Sequence, residues 1–262
     1  MKFARFKKGE AILQGVVTEN GIQQINGDIF SDFEHTELIH AIDEIELLAP
    51  LTPRHVIGIG ANYVGKTADL PSKLPAIPVF FYKPVSSVIG SGAPIVIPDQ
   101  IKEVKFEAEL AVVMGKRASN LSKDDVTSHI FGYTVANDVT APQLFHEDGH
   151  WMVGKSFDTF TPLGPYIETE LNPDEVNVEA YLNGEKKQDS QTALMIFSMR
   201  KMIAYLSSVM TLEAGDVILT GSPLGAEMMK DGAEINCKIA GIGELPNPVV
   251  SYQKSAVAGH RS

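Results

Sequence analysis

The sequence predicts a mainly β protein with a few helices, of the α+β class. Short runs rich in β-branched residues recur along the chain, and Gly and Pro residues separate them. Only a few stretches show the apolar spacing of a helix. With 262 residues, of which 44% are hydrophobic and 21% charged, the chain has the composition of an ordinary globular protein. Its length suffices for an extensive buried core.

The first 50 residues are expected to form a small cap in front of a larger domain, residues 51–262. Alternating polar and apolar residues at 11–17 and 21–25 predict strands, and residues 37–48 predict a helix. The function of this cap is left open by its sequence.

The larger domain contains eight runs that predict strands and two that predict helices. A helix is expected after Ser122, with two aspartates in its first turn, and another at 198–210, where apolar residues recur at helical spacing. The predicted strands are residues 56–59, 79–82, 95–97, 107–114, 131–136, 176–182, 217–220 and 235–240.

Charge and composition exclude several classes of function. A formal net charge of −11 opposes binding to phosphate backbones, so no nucleic-acid partner is expected. No apolar stretch approaches the roughly 20 residues of a membrane-spanning helix, and no secretion signal is recognisable. The single cysteine, Cys237, is interpreted as a small buried hydrophobe. We therefore expect a soluble, cytoplasmic protein.

Three carboxylates are the candidate metal ligands. Glu107 and Glu109 are expected on one face of a strand, about 7 Å apart, and Asp138 follows another apolar strand. Hard cations prefer oxygen ligands, so the set suits Mg²⁺ or Mn²⁺. The alternative to a metal site is that the two glutamates lie at an exposed strand end and that Asp138 only forms a turn. A zinc site is disfavoured, because His146 and His150 have no third ligand at a characteristic spacing.

Two further segments are candidates for binding an anion. Lys155 follows the third acid and either neutralises a bound carboxylate or enolate or is solvated surface. Residues 215–225 predict a strand that runs into a glycine-bounded turn, where backbone amides and the hydroxyls of Thr220 and Ser222 are able to cradle an anion.

In order along the chain, these segments resemble the fumarylacetoacetate hydrolase superfamily, in its branch of acylpyruvases and 2-hydroxyhepta-2,4-diene-1,7-dioate isomerases. The resemblance runs from about Ile57 to Val249. It is carried by Gly60-Ala61-Asn62-Tyr63, Phe81-Tyr82-Lys83-Pro84, Glu107-Ala108-Glu109-Leu110, Asn137-Asp138-Val139-Thr140, Gly154-Lys155-Ser156-Phe157-Asp158, Leu219-Thr220-Gly221-Ser222-Pro223 and Gly241-Ile242-Gly243-Glu244-Leu245-Pro246-Asn247-Pro248.

The resemblance implies a mixed β-sandwich-like roll, usually a homodimer, with Mg²⁺ or Mn²⁺ on the three carboxylates. It implies a small anionic 2-oxo or enol acid as substrate, which the metal would polarise as a Lewis acid. Hydrolysis of a C–C bond in an acylpyruvate is the first expectation; isomerisation or tautomerisation and decarboxylation are alternatives, and a catalytically silent binding protein is a third. The residues implied in substrate binding are Asn62, Tyr63, Lys83, Lys155, Thr220, Gly221 and Ser222.

The chain departs from the resemblance where water would be activated. Hydrolytic members have a histidine and an acid on a lid helix, and here Lys66 and Asp69 stand in those positions. A lysine is protonated near neutral pH and is a better anion clamp than base. Pro142 replaces an arginine expected after the third ligand. His146 and His150 are candidates for the missing base.

Overall fold

The computed structural model describes residues 1–252. They fold into two β-sheets packed face to face, a separate antiparallel pair of short strands that are distant in sequence, and two α-helices. The last ten residues of the predicted larger domain lie outside the described part of the chain. The strands before the first helix are β1 Lys2–Lys8, β2 Ala11–Thr18, β3 Gly21–Gly27, β4 Phe33–His40, β5 Glu46–Leu47, β6 Val56–Gly60, β7 Val79–Lys83, β8 Val88–Ile89, β9 Ile95–Ile97, β10 Glu103–Lys105, β11 Ala108–Met114 and β12 Ile130–Asn137. They are followed by α1 Met152–Lys155, β13 Thr161–Glu168, β14 Asn177–Leu182, β15 Glu185–Gln191, α2 Met199–Val209, β16 Val217–Leu219, β17 Met228–Lys230, β18 Glu234–Ile239 and β19 Gly243–Ser251.

The larger sheet is mixed and runs in the order β4-β3-β2-β1-β13-β12-β11-β16-β6-β7, with β5 beside β1 and β8 beside β13. β6 pairs with β16 in parallel, whereas β11 pairs with β12 and β16 antiparallel. The second sheet, in the order β15-β14-β18-β19-β9, packs on β11 and β12. The expected mixed β-sandwich fold is therefore confirmed.

Strand β11 lies at the centre of the core. All seven of its residues are buried, as expected for a continuous apolar run with side chains packed on both faces of a sheet. One face contacts the second sheet, including Val178, Ile235 and Cys237. The other face belongs to a cluster that also contains Phe3 and Leu163. This burial on both sides holds the N-terminal end of β11 in place, where the candidate ligands lie.

The first 50 residues extend the larger sheet. β1 pairs with β13, and β2, β3 and β4 continue outward as antiparallel neighbours. The helix expected at 37–48 is wrong. That segment ends β4, forms one 3₁₀ turn at Ile42–Glu44 and adds the short strand β5. Pairing with β3 satisfies the backbone of this segment, so tertiary context overrides the helix preference of its Glu and Leu residues.

The other predicted elements are mostly confirmed. α2 coincides with the helix expected at 198–210, and its buried residues include Met202, Ile203 and Leu206. The helix expected after Ser122 is wrong, because only a 3₁₀ turn forms at Val126–His129 and the Ser122 hydroxyl bonds to the Asp125 side chain. In residues 1–252, no helix is long and apolar enough to cross a membrane.

Nine strands in residues 1–252 are not predicted by the sequence, namely β1, β4, β5, β8, β10, β13, β15, β17 and β19. β13, β15 and β19 illustrate why. β13 and β19 contain prolines, which are unusual inside strands. In β19, Gly and Pro residues interrupt the alternation of polar and apolar residues that would predict a strand. β15 is polar along most of its length and has one fully buried residue, Gln188. The signals used to recognise strands were therefore weak at all three.

Candidate active site

The pairing of β11 with β12 brings the three carboxylates together. Glu107 immediately precedes β11, Glu109 is its second residue, and Asp138 follows the last residue of β12. Because Ala108 lies opposite Asn137 in this antiparallel pair, the start of one strand meets the end of the other. One oxygen from each carboxylate lies within 4.8 Å of the others. The two glutamates thus share a face with Asp138, as the period-two spacing predicts.

Backbone and side-chain hydrogen bonds fix this junction. The Asp138 amide donates to the Glu107 carbonyl at 2.9 Å, and the Glu107 amide donates to Asn137 Oδ1 at 2.9 Å. The Thr140 hydroxyl lies 3.1 Å from Glu107 Oε2. The Gly221 amide donates to Glu109 Oε2 at 2.6 Å. The carboxylates of Glu107 and Glu109 are therefore each held by a group from another part of the chain, and backbone hydrogen bonds fix Asp138 beside Glu107.

Lysines neutralise two of the three carboxylates. Lys155, on α1, has a side chain only 5% exposed; its ammonium lies 2.7 Å from Glu107 Oε2 and also donates to Asp138 Oδ2. Lys83, at the end of β7, is fully buried and lies 2.6 Å from Asp138 Oδ1. Lys105 lies 2.8 Å from Glu107 Oε1. Lys155 is therefore part of a buried ion-pair network and not solvated surface.

The protonation of the cluster reflects this uneven pairing. Burial alone would raise the pKa of Asp138, but Lys155 and Lys83 outweigh it and lower that pKa. The pKa of Lys155 is raised because its two carboxylate partners outweigh its burial. Glu109 has no lysine within ion-pair distance among the described residues. Burial, then Asp138 and Glu107, raise its pKa well above the usual value and outweigh the lowering by Lys155 and the Gly221 amide. A divalent cation at these oxygens would stabilise the ionised form of Glu109, so the residues fit such a cation.

A cavity of about 390 Å³ opens above the carboxylates. Its floor is formed by Glu107, Glu109, Asp138 and Lys155, with Lys105 among the other lining residues. The apolar part of the lining, the apolar wall, consists of Ile59, Phe81, Phe145, Trp151 and Leu224. A larger cavity, of about 790 Å³, lies away from the carboxylates between β9 and the end of β19. The smaller cavity is the candidate active site, because it alone of the two contains the ionised cluster.

Trp151 is the largest element of the apolar wall. Its ring stacks on Phe145 at a centroid distance of 5.8 Å and meets Phe81 edge-on at 5.7 Å. A methyl group at Gly60 would overlap with the Trp151 ring, so this glycine permits the indole to lie against β6. Phe81 in turn lies 4.9 Å from the Lys155 ammonium. The wall and the ion-pair network are therefore in direct contact.

Several residues implied in substrate binding are occupied by the protein itself. Asn62 is buried; its amide group donates to the Thr220 carbonyl, and its Oδ1 accepts from the Phe197 amide. The Thr220 hydroxyl donates to the Leu110 carbonyl at 2.8 Å. With the Gly221 amide bound to Glu109, these groups shape the turn at residues 220–225 rather than face the cavity with free donors. Their role in substrate binding stays a prediction.

Tyr63 and Ser222 line the cavity. Tyr63 is only 9% exposed, and its hydroxyl has no hydrogen-bond partner of good geometry among the described residues. Burial and the neighbouring Glu109 raise its pKa, so the phenol stays protonated and able to donate. The Ser222 hydroxyl accepts from Gln188 Nε2 at 2.8 Å. An unpaired buried hydroxyl is costly, which makes Tyr63 a candidate partner for a ligand oxygen.

The candidate bases lie elsewhere. Lys66 and Asp69 are exposed, 3.9 Å apart at Nζ and Oδ1, and neither lines the cavity. His146 and His150 are exposed on a turn beside the cavity, with ring centroids 6.1 Å apart, and do not line it either. Lys83 lies behind Asp138 rather than in the cavity. Lys83 thus contacts the carboxylate cluster from outside the cavity, whereas Lys66, Asp69, His146 and His150 are not brought together with the carboxylates in this structure.

Sequence reasoning missed three features of the site. Lys105 was overlooked because a lysine at the start of a strand usually indicates a solvated surface. The residues of the apolar wall come from separate parts of the chain, so no single motif predicts the wall. Gln188 is buried within a polar strand. Its Oε1 accepts from the Ala108 backbone amide at 3.0 Å, and its Nε2 donates to the Ser222 hydroxyl and the Pro223 carbonyl. The only available signal for Lys105 was its position two residues before Glu107, on the same strand face.

Comparison with known proteins identifies the family of the chain. The family model described as fumarylacetoacetate (FAA) hydrolase C-terminal matches residues 55–250, and one described as Rv2993c-like, N-terminal, matches residues 1–50. The mitochondrial oxaloacetate tautomerase fahd2 of Xenopus laevis is 39% identical over 84% of this chain and 73% of its own length.

Two solved structures are also similar. That of 5-carboxymethyl-2-hydroxymuconate delta-isomerase from Mycobacterium smegmatis has a TM-score of 0.90 and 34% identity, covering 96% of this chain and all of the other. That of maleylpyruvate hydrolase from Sphingobium sp. SYK-6, in complex with manganese (II) ion and pyruvate, has a TM-score of 0.80 and 27% identity, covering 97% of this chain and all of the other. With its order of motifs, its mixed β-sandwich and its carboxylate cluster, the chain belongs to the fumarylacetoacetate hydrolase family.

Proposed function

We propose that the protein is a divalent-cation-dependent enzyme that interconverts the enol and keto forms of a small 2-oxo carboxylate. The observation that carries this proposal is the set of groups lining the cavity: three carboxylates, two lysines and Tyr63, with no histidine among the lining residues of the described chain. The pair Lys66 and Asp69, which stands where a water-activating pair is expected, is exposed and outside the cavity. Tautomerisation requires no activated water.

The chain supplies binding groups and a proton donor. A divalent cation, Mg²⁺ or Mn²⁺, held by Glu107, Glu109 and Asp138 would draw electron density from the 2-oxo and carboxylate oxygens and stabilise enolate charge. Lys155 stays protonated between Glu107 and Asp138 and places a fixed positive charge beside the substrate's acid group.

In the reaction the enol loses its O–H proton and the neighbouring carbon gains one, and no bond between heavy atoms breaks. The Tyr63 hydroxyl, buried and with no hydrogen-bond partner of good geometry among the described residues, is placed to take up the enol O–H proton while it passes its own proton to the neighbouring carbon. The apolar wall of Phe81, Phe145 and Trp151 excludes water from this exchange. Similarity to oxaloacetate tautomerase and to the muconate isomerase supports the same class of reaction.

Hydrolysis of a C–C bond in an acylpyruvate-type substrate is the second candidate. Similarity to the maleylpyruvate hydrolase favours it, and the same carboxylates would serve. It requires a base close to the cavity, which the exposed His146 and His150 would have to supply after a rearrangement of their turn.

Proton NMR in D₂O, with Mg²⁺ or Mn²⁺ and with a chelator control, separates these reactions. We expect metal-dependent ketonisation of enol-oxaloacetate and deuterium incorporation next to the keto group without cleavage. Tyr63→Phe should slow this by about a hundredfold, a typical contribution of one proton-transferring group, while Tyr82→Phe, a tyrosine outside the cavity, should not. Pyruvate and a second acid from acetylpyruvate would establish hydrolysis instead, and pyruvate from oxaloacetate alone would establish decarboxylation. The absence of all three reactions would favour a silent binding protein.

A further inference from the structure

Lys105 has a place in the cavity that the reaction itself does not explain. Of the lining residues, only Lys105 and Lys155 carry a positive charge. Lys155 is 5% exposed and shared between two carboxylates, whereas Lys105 is 34% exposed and has one carboxylate partner, Glu107 Oε1 at 2.8 Å. The ammonium of Lys105 therefore keeps donor capacity for a ligand in the cavity, because an ammonium has three donors and one is directed to Glu107.

The backbone of Lys105 is rigidly held. Its amide donates to the Thr140 carbonyl at 2.7 Å, and its carbonyl accepts from the Thr140 amide at 3.0 Å. Its strand, β10, also pairs with β17, where Met228 is the direct partner. The side chain thus starts from a fixed point at the rim, and ordering its ammonium on a ligand costs only side-chain entropy.

The rest of the cavity leaves a second anionic group without a partner. In the proposed function, a 2-oxo acid has its reacting end at the carboxylates and Lys155, and the uncharged side chains of the lining include Ile59, Phe81, Phe145, Trp151 and Leu224. A carboxylate at the far end of the substrate would be desolvated against the apolar wall at considerable cost. Lys105 is the lining cation that is able to offset this cost, through a charge-assisted hydrogen bond.

We propose that Lys105 is a specificity residue that selects dicarboxylate over monocarboxylate 2-oxo acids by pairing with the distal carboxylate of the substrate. This inference rests on the proposed function for the placement of the 2-oxo acid end. It assigns Lys105 a role in binding and none in proton transfer.

The test compares two ligands that differ only at the distal group. Dimethyloxaloacetate has a distal carboxylate, and in trimethylpyruvate a methyl group replaces that carboxylate. Neither has a hydrogen next to its keto group, so neither enolises. Dissociation constants are measured by calorimetry with the full chain and Mn²⁺, in the cold so that dimethyloxaloacetate does not lose CO₂. Mn²⁺ affinity is measured separately by electron paramagnetic resonance.

The wild-type protein should prefer dimethyloxaloacetate. Lys105→Met should weaken that ligand about tenfold, the order expected for one hydrogen bond to a charged group, and change trimethylpyruvate and Mn²⁺ binding less than about twofold. Lys105→Arg should restore most of the preference. Lys102→Met, the same change at an exposed lysine outside the cavity, is the matched control and should behave as wild type.

Four results would overturn the proposal. Equal weakening of both ligands, or loss of Mn²⁺ affinity, would mean that Lys105 only holds Glu107 in position. A wild-type protein that binds neither ligand, or binds both equally, would show that no distal carboxylate is recognised. If the preference and its loss are found but enol-oxaloacetate is not turned over, the proposed function fails while the role of Lys105 stands.

Discussion

At the scale of single residues, the site depends on a balance between buried charges. Lys83 and Lys155 are almost fully buried and would be costly alone, yet each has a carboxylate within ion-pair distance. Glu109 is the member whose charge is least compensated, because its partner is a neutral amide. This imbalance is the physical reason that a cation fits the cluster.

The Glu107→Gln variant tests the ligand assignment. The amide keeps the size of the side chain but loses the charge, so Mn²⁺ affinity should fall at least tenfold and turnover should be abolished, while the melting temperature changes little. Glu103→Gln, at the rim and outside the cluster, is the control. Full activity in Glu107→Gln would contradict the assignment.

Cys237 provides a second prediction at this scale. Its thiol is completely buried, and burial together with nearby Glu109 raises its pKa, so the native thiol stays neutral. It should resist a thiol-specific reagent in the native state and react only on unfolding. By linkage, the neutral buried thiol favours the fold fully below about pH 8.5, where the unfolded thiol is also protonated, and this contribution is lost as the pH rises. Rapid native labelling would mean that β18 opens locally.

At the scale of elements, the contact of Trp151, the residue directly before α1, with the end of β6 shapes the cavity. Gly60 ends β6, and the space above it is filled by the ring of Trp151, which directly precedes α1. α1 also carries Lys155, so a shift of this short helix would move the ammonium relative to Glu107 and Asp138. The aromatic wall and the charge network are thus positioned by one contact.

Gly60→Ala tests this coupling. The added methyl group would overlap with the indole, and overpacking of this kind costs about 1–3 kcal/mol. Trp151 is the only tryptophan in the chain, so its fluorescence reports displacement directly. We expect a shifted emission maximum, a lower melting temperature and reduced turnover. Gly65→Ala is the control, because its new methyl group would meet only the flexible end of Leu224. An unshifted emission maximum in Gly60→Ala would show that the indole does not rest on β6.

At the scale of the whole molecule, the first 50 residues share a core with the rest. Phe3 is 4% exposed, meets Phe131 at a ring-centroid distance of 5.3 Å, and belongs to a cluster with Val56, Val113 and Leu163. The division at residue 50 into cap and catalytic domain stays a prediction. The shared cluster favours cooperative unfolding of both parts.

Phe3→Ala tests this cooperativity. Removal of a buried aromatic ring should destabilise the protein by about 3 kcal/mol and lower the melting temperature of one common transition, measured by calorimetry. Ile12→Ala, at a side chain 56% exposed on β2, should have little effect. Two separate transitions, with only the first affected, would show that residues 1–50 unfold as an independent unit. The homodimer implied by the family resemblance also stays a prediction, which light scattering tests.

The sequence alone indicated eight strands of residues 51–252 and the three carboxylates, because alternation and apolar runs are local patterns that do not depend on the chain path. It missed β8, β10, β13, β15, β17 and β19. It did not reveal the ion pairs of Lys155 with Glu107, 48 positions apart, or of Lys83 with Asp138, 55 positions apart. Only the tertiary structure decided that Lys155 is buried, that Lys66, His146 and His150 lie outside the cavity, and that Lys105 lines it. The sequence gives the type of each ionisable side chain, but the desolvation of that side chain and its partners depend on strands that meet only when the sheets pack.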